Sequence, residues 1–259
     1  MMIQPMAMIN NLLDQFTSIR LEEMDAVKLM DRTETKFLIP ADLLPHALQQ
    51  IKKHYHCQEN FLKRTAKYET LYYDTPGFSL YMKHHNGELN RYKVRHRTYI
   101  DSKQGFLEIK HRNNKGRSVK RRVQETHATR QFTGNALTFL SSELSFDAAL
   151  LQPAVTINYN RITLVGKRHN ERITIDTDIE FRRSNKCVHL ENIAVAEIKQ
   201  SNKTRSVFQD TMKSMQLRET PFSKYCSAVA MMCDGVKRNN FKENLLTLTY
   251  LSHDFAASR

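Results

Sequence analysis

Hydrophobic and polar positions alternate with a period of two through most of the chain. In residues 104–112, QGFLEIKHR, Leu107 and Ile109 take one side while Glu108, Lys110 and Arg112 take the other. Such alternation predicts a strand with one face in a core and one face polar. The same pattern predicts strands over 32–39, 66–73, 89–99, 104–112, 117–123, 154–165, 171–180 and 192–200, most of them bounded by turn-forming residues. A helical period replaces the alternation in 41–54, 204–215 and 223–234, and 126–150 also reads as helical. Asp74, in YYDTP, is placed to cap a further helix, and His84 and His85 to cap a solvated one. The pattern divides the chain into a helical segment at 1–30, a strand-rich domain at 31–235, and a tail or docking helix at 236–259.

The polar faces are unusually cationic. NRYKVRHRTY puts Arg91, Lys93, Arg95 and Arg97 on one side of a strand; Arg32, Glu34 and Lys36 share a face, as do Tyr159 with Arg161, and Glu197 with Lys199. Arg172, Thr174, Asp176 and Asp178 form another such row, with Ile173 and Ile175 behind it. Cations about 7 Å apart repel by roughly 2–3 kcal/mol per pair at an effective dielectric near 20. A sheet packed on helices on one side and wetted on the other accounts for any single strand. The set points further. About eight such strands closed with the charged face inward would be unfavourable unless a polyanion occupied the lumen. The expected fold is α+β: an antiparallel β-barrel or tunnel of about eight strands with flanking helices.

Charge supports an anionic partner, since 40 Lys and Arg oppose 27 Asp and Glu, leaving a formal net charge of +13 over 259 residues. No RNP-type aromatic motif or other nucleic-acid signature occurs, so nucleic acid is not the expected partner. No apolar run reaches the ~18 residues of a membrane span, and the N-terminus lacks a secretory pattern. The chain therefore reads as cytoplasmic. Seven glycines and six prolines form no linker tract, which favours one continuous domain. The four cysteines, Cys57, Cys187, Cys226 and Cys233, make no CxxC pair and read as reduced, packed thiols.

Nine stretches in order, RTETKF (32–37), TLYYDTPGF (70–78), KVRHRTY (93–99), FLEIKH (106–111), RSVKRR (117–122), NYNRI (158–162), RITIDT (172–177), AEIK (196–199) and FSKY (222–225), carry a resemblance. Together they resemble the VTC (vacuolar transporter chaperone) domain, the polyphosphate polymerase branch of the triphosphate tunnel metalloenzymes. The resemblance implies a tunnel that binds ATP, triphosphate or polyphosphate with Mn²⁺ or Mg²⁺. It implies phosphate ligands at Lys36, Arg95, Arg97, Lys110, Lys120, Arg161 and Arg172, a lining role for Tyr159, phosphate contacts from Ser223 and Lys224 at a helix start, and a metal ligand at Glu197. In RSVKRR the expected inward set is Ser118, Lys120 and Arg122, with Arg117, Val119 and Arg121 as the opposite register. Asp176 and Glu34 are further metal or orienting candidates.

Two departures from the family pattern stand out. Pro221 occupies a position where the family often has a basic residue, and Arg32 replaces the first carboxylate of the ExExK motif of the hydrolytic CYTH relatives. The second departure favours transfer of the ATP γ-phosphoryl group to phosphate or polyphosphate. A tri- or polyphosphatase of the same fold, or a polyphosphate-binding protein without catalysis, is the alternative. Family polymerases are often coupled to membrane components, so a membrane-protein partner is also implied.

Overall fold

The computed structural model describes residues 3–23, 33–200 and 205–257; Arg32 lies outside the described residues. The strands are β1 (Thr17–Ile19), β2 (Thr33–Pro40), β3 (Tyr55–Gln58), β4 (Thr65–Asp74), β5 (Arg91–Tyr99), β6 (Gln104–Arg112), β7 (Ser118–Gln124), β8 (Gln152–Gly166), β9 (Glu171–Arg183), β10 (Lys186–Leu190) and β11 (Ile193–Gln200). The helices are α1 (Ile3–Leu13), α2 (Leu44–Ile51), α3 (Ser79–His85), α4 (Gly134–Glu143), α5 (Val207–Ser214), α6 (Lys224–Met232) and α7 (Lys242–Ala257).

Eight strands follow the spatial order β2-β11-β9-β8-β4-β5-β6-β7, and each neighbouring pair is antiparallel. The antiparallel sheet with flanking helices agrees with the α+β expectation. Three short strands lie off this path: β10 extends β9 as a hairpin, β3 pairs with β8, and β1 runs parallel to β3. The sheet curls strongly. Glu34 on β2 reaches Lys110 on β6 at 3.4 Å, although several strands separate them in the sheet order.

Alternation distributes the side chains as the sequence pattern requires. Phe37, Ile39, Ile162, Leu164, Ile173, Ile175 and Ile198 face outward into a core closed by α1, α2 and α5. Val94, Leu107 and Ile109 form a second outer core with Leu140 of α4. The third core lies on the inner face, where Leu38, Tyr72, Ile157, Phe181 and Val195 receive Tyr225, Ala228 and Val229 of α6. Helix α6 thus enters the curl, and its apolar side stoppers part of the lumen. Asp74 accepts the backbone N–H groups of Leu80 and Tyr81 at the start of α3, as expected of a cap, and also accepts the Tyr225 hydroxyl, which ties α6 to α3.

Several details differ from the sequence expectations. Only 134–143 of the 126–150 segment is α-helical; Thr129 instead exchanges hydrogen bonds with the Tyr73 hydroxyl, which ties the irregular stretch before the helix to β4. His84 and His85 end α3, but His85 is buried against Phe241 and bonded to Asn239, so the helix end is not solvated. In β9 the shared row stops at Asp176. A bulge opposite Asn158–Asn160 places Asp178 at φ 49°, so Asp178 turns to solvent and Ile179 and Phe181 take over the inner face. Cys57, Cys226 and Cys233 are buried as expected, whereas Cys187 is exposed on β10.

Candidate functional site

The β5–β6–β7 wall sets like charges directly opposite one another. Arg91 faces Arg112, Lys93 faces Lys110, and Lys110 faces Lys120 across the ladders. Directly opposed like charges destabilise a sheet, so this row is maintained against its own repulsion. Glu34 moderates it at Lys110, 3.4 Å away, and Glu108 does so deeper in the sheet. Glu108, 1 % exposed, accepts from Arg95 Nε at 2.7 Å and lies 2.5 Å from Lys120 Nζ. Burial pushes its pKa up, but Arg95, Arg97 and Lys120 outweigh burial and hold it at about 2. Burial with repulsion from Arg95 and Arg97 pulls Lys120 down to about 8, against the attraction of Glu108. Of the two registers open for 117–122, the structure has Lys120 inward; Arg121 points out toward Glu143 of α4.

The opposite wall is built on Asp176. Arg161 donates to both of its oxygens, at 2.6 and 2.8 Å, and Lys224 at the start of α6 donates to Oδ2. Asp176 is buried, which raises its pKa, yet Arg161 and Lys224 hold it down at about 2. The Arg161 guanidinium and the Lys224 ammonium also lie over the Tyr159 ring, at 5.2 and 5.1 Å from its centroid. The Tyr159 hydroxyl is buried and has no hydrogen-bond partner among the described residues. Further along β11, Glu197 lies 2.5 Å from Lys199 and 3.6 Å from Lys36, and Arg172 faces Lys199 across the ladder.

The two walls meet at the start of α6. Ser223 caps the helix by accepting the Cys226 N–H, and its hydroxyl also accepts from Lys93 Nζ at 2.8 Å. Lys36 Nζ donates to the Phe222 carbonyl at 2.8 Å. A cavity of about 620 Å³ opens here, lined among others by Lys36, Lys93, Lys110, Arg91, Arg112 and Ser223. Lys93 makes no ion pair among the described residues; burial is the main cause of its lowered pKa. His84 also lines the cavity, and burial with the charge of Lys93 pulls its pKa down to about 2, so it stays neutral. Tyr72 reports the local field: burial alone would raise its phenol, yet Arg95, Lys93 and Arg97 bring it to about 8.

The sequence-predicted residues therefore share one face. Lys36, Lys110 and Ser223 line the cavity, while Arg95, Arg97, Lys120, Tyr159, Arg161, Arg172, Glu197 and Lys224 continue the inner face beyond it. Lys93, Glu108 and Lys199 belong to the same constellation and were absent from that set. Their alternation with Arg95, Lys110 and Glu197 was a visible signal. Asp176, expected only as a metal or orienting group, is the brace between Arg161 and α6.

A divalent cation fits this face only in one manner. Among the described residues, no three His, Cys, Asp or Glu side chains converge in the lumen. Glu197 is held ionised, its pKa depressed by Lys199 and Lys36 in spite of burial, and part of its side chain is exposed. One hard carboxylate suits a cation whose remaining positions are filled by phosphate oxygens and water, as Mg²⁺ commonly is.

An antiparallel sheet curled round such a face defines a triphosphate-tunnel fold. The chain belongs to the VTC domain family, which matches residues 31–233. Its structure is similar to that of a Bacillus halodurans protein described as a candidate adenylate cyclase, with 12 % identity, a TM-score of 0.50, and coverage of 79 % of this chain and 100 % of that one. A Hippeastrum protein described as a candidate adenylyl cyclase with a dominant triphosphatase activity shows 14 % identity, a TM-score of 0.47, and coverage of 78 % and 96 %. No curated protein matches the sequence. No helix among the described residues is long and apolar enough to cross a membrane.

Proposed function

We propose that this chain is a metal-dependent polyphosphate polymerase that transfers the γ-phosphoryl group of ATP to phosphate or to a growing polyphosphate. The observation that carries the reading is the cavity at the start of α6, where Lys93 has no carboxylate partner among the described residues and stands opposite Lys110. Such an arrangement favours a ligand carrying several negative charges close together.

Phosphoryl transfer depends on positioning and charge stabilisation more than on covalent help from the protein. The acceptor phosphate oxygen forms the new P–O bond as the bond between the γ-phosphorus and the β–γ bridging oxygen breaks, and ADP leaves with that electron pair. No side-chain nucleophile is needed. Arg95, Arg97 and Lys110 hold the transferring group, while Lys36, Arg161 and Arg172 hold the β- and product-side phosphates. Lys120, Ser223 and Lys224 supply further phosphate contacts, and Tyr159 lines the face with its ring under Arg161 and Lys224. Mn²⁺ or Mg²⁺ held by Glu197 and phosphate oxygens supplies charge neutralisation when bound.

Glu108 and Asp176 act on this reading as braces. Each holds an Arg and a Lys in fixed directions, so the donors are oriented before the substrate arrives. The test is Glu197→Gln. It should stop turnover with ATP and Mn²⁺ yet spare metal-free tripolyphosphate binding, because losing one negative charge leaves the cationic face more attractive to anions. Retained turnover in this variant would remove Glu197 from the metal site.

A further inference from the structure

The β9–β10 hairpin carries a second set of donors, outside the lumen. Glu180 stands directly opposite His189 in the ladder, and Arg182 opposite Cys187. Cys187 and His189 are two residues apart, so they share a face of β10. His189 Nε2 lies 3.2 Å from Glu180 Oε2 and 3.4 Å from Cys187 Sγ. All three donor atoms lie within 4.8 Å of one another.

We propose that Glu180, Cys187 and His189 form a zinc site on this hairpin, distinct from the phosphate-binding face. The geometry is the first argument. Bonds of 2.0–2.3 Å to a tetrahedral ion place its ligand atoms about 3.3–3.8 Å apart, and the separations of 3.2 and 3.4 Å from His189 fall at or just below the lower end of that range. The donors are the second argument. A thiolate with an imidazole selects zinc over the hard cations that oxygen donors prefer, so Mg²⁺ and Mn²⁺ do not compete well. The third is support beyond the donors. Asn158 Nδ2 donates to Glu180 Oε1 at 2.8 Å, and Arg182 Nε also pairs with that oxygen, fixing the carboxylate with Oε2 toward His189.

Placement explains why Cys187 differs from the other cysteines. Cys57, Cys226 and Cys233 are packed in cores, whereas Cys187 is exposed beside its two partners on two paired strands. Three protein donors leave a fourth position for water or an added ligand, and the exposure of Cys187 and His189 keeps that position open to solvent. Arg182 Nη2 also reaches Glu180 Oε2 at 3.2 Å, and the metal must displace it from that oxygen.

The test uses the full chain after chelator treatment. Titration with Co²⁺ should give one equivalent with a thiolate-to-cobalt charge-transfer band, and Zn²⁺ should displace the Co²⁺. Cys187→Ser should abolish the band, and His189→Ala should weaken Zn²⁺ binding at least about tenfold. Glu197→Gln should leave the band intact, which separates this site from the lumen. Circular dichroism checks that each variant remains folded. A band that survives in folded Cys187→Ser, or the absence of any band in the wild type, would overturn the proposal.

Discussion

Glu108→Gln removes the carboxylate that pairs with both Arg95 and Lys120, and its cost can be worked from the structure. The side chain is 1 % exposed, and its neighbours hold its pKa at about 2 against an ordinary value of 4.5. At 1.36 kcal/mol per pH unit, that depression corresponds to about 3 kcal/mol of native-state stabilisation. Breaking a buried ion pair by removing one partner costs roughly 3–5 kcal/mol, which agrees in size. For a domain of this length, 3 kcal/mol lowers Tm by about 6–12 °C. A depressed carboxylate contributes fully above its unfolded value, so the wild type should lose this stabilisation as pH falls from about 5 toward 2. The variant should lack that part of the acid limb. Tripolyphosphate at 100 times its Kd should add about 2.7 kcal/mol to wild type and variant alike by mass action, and the freed cations should show as a lower Kd in the variant. Thermal and urea melts with and without tripolyphosphate measure all of this. A Glu108→Gln protein as stable as the wild type at pH 7 would refute the claim that this carboxylate braces the wall.

Lys93→Ala should weaken tripolyphosphate binding by calorimetry at least tenfold while leaving the ligand-free Tm unchanged or raised, since no carboxylate loses a partner; a lowered Tm with intact binding would make Lys93 structural. Arg161→Ala should destabilise by about 3 kcal/mol in urea melts, because Asp176 is then left buried with Lys224 alone. A row of cations that only repel one another would lose nothing on such a deletion, so unchanged stability would refute the brace. Lys120, at about 8, should lose its proton as pH rises through that value, so phosphate affinity should fall above pH 8. Lys120→Arg should shift that limb to higher pH, and an identical profile in the variant would assign the limb elsewhere.

Strand positions were legible because the two faces of each strand differ so sharply in chemistry: Leu107 and Ile109 against Glu108 and Lys110 leave one arrangement that buries the oil. The cationic face was legible for the same reason. What alternation does not contain is pairing. That Glu108 serves Lys120 as well as Arg95 follows from the β6–β7 register, and that Asp176 holds Lys224 follows from α6 entering the lumen. The bulge at Asp178 broke a row that strict period-two counting would continue. The short strands β1, β3 and β10 carry too few residues for a period to show. With β10 unrecognised, Cys187 read as one more packed thiol.

On the proposed mechanism the γ-phosphoryl group goes to phosphate and not to water. Wild-type protein incubated with γ-phosphate-labelled ATP and Mn²⁺, then resolved by electrophoresis, separates the two acceptors. Label should run in a ladder of lengthening polyphosphate, with little in orthophosphate. Label released only as orthophosphate, together with rapid hydrolysis of tripolyphosphate under both Mn²⁺ and Mg²⁺, would contradict it and identify the chain as a hydrolase.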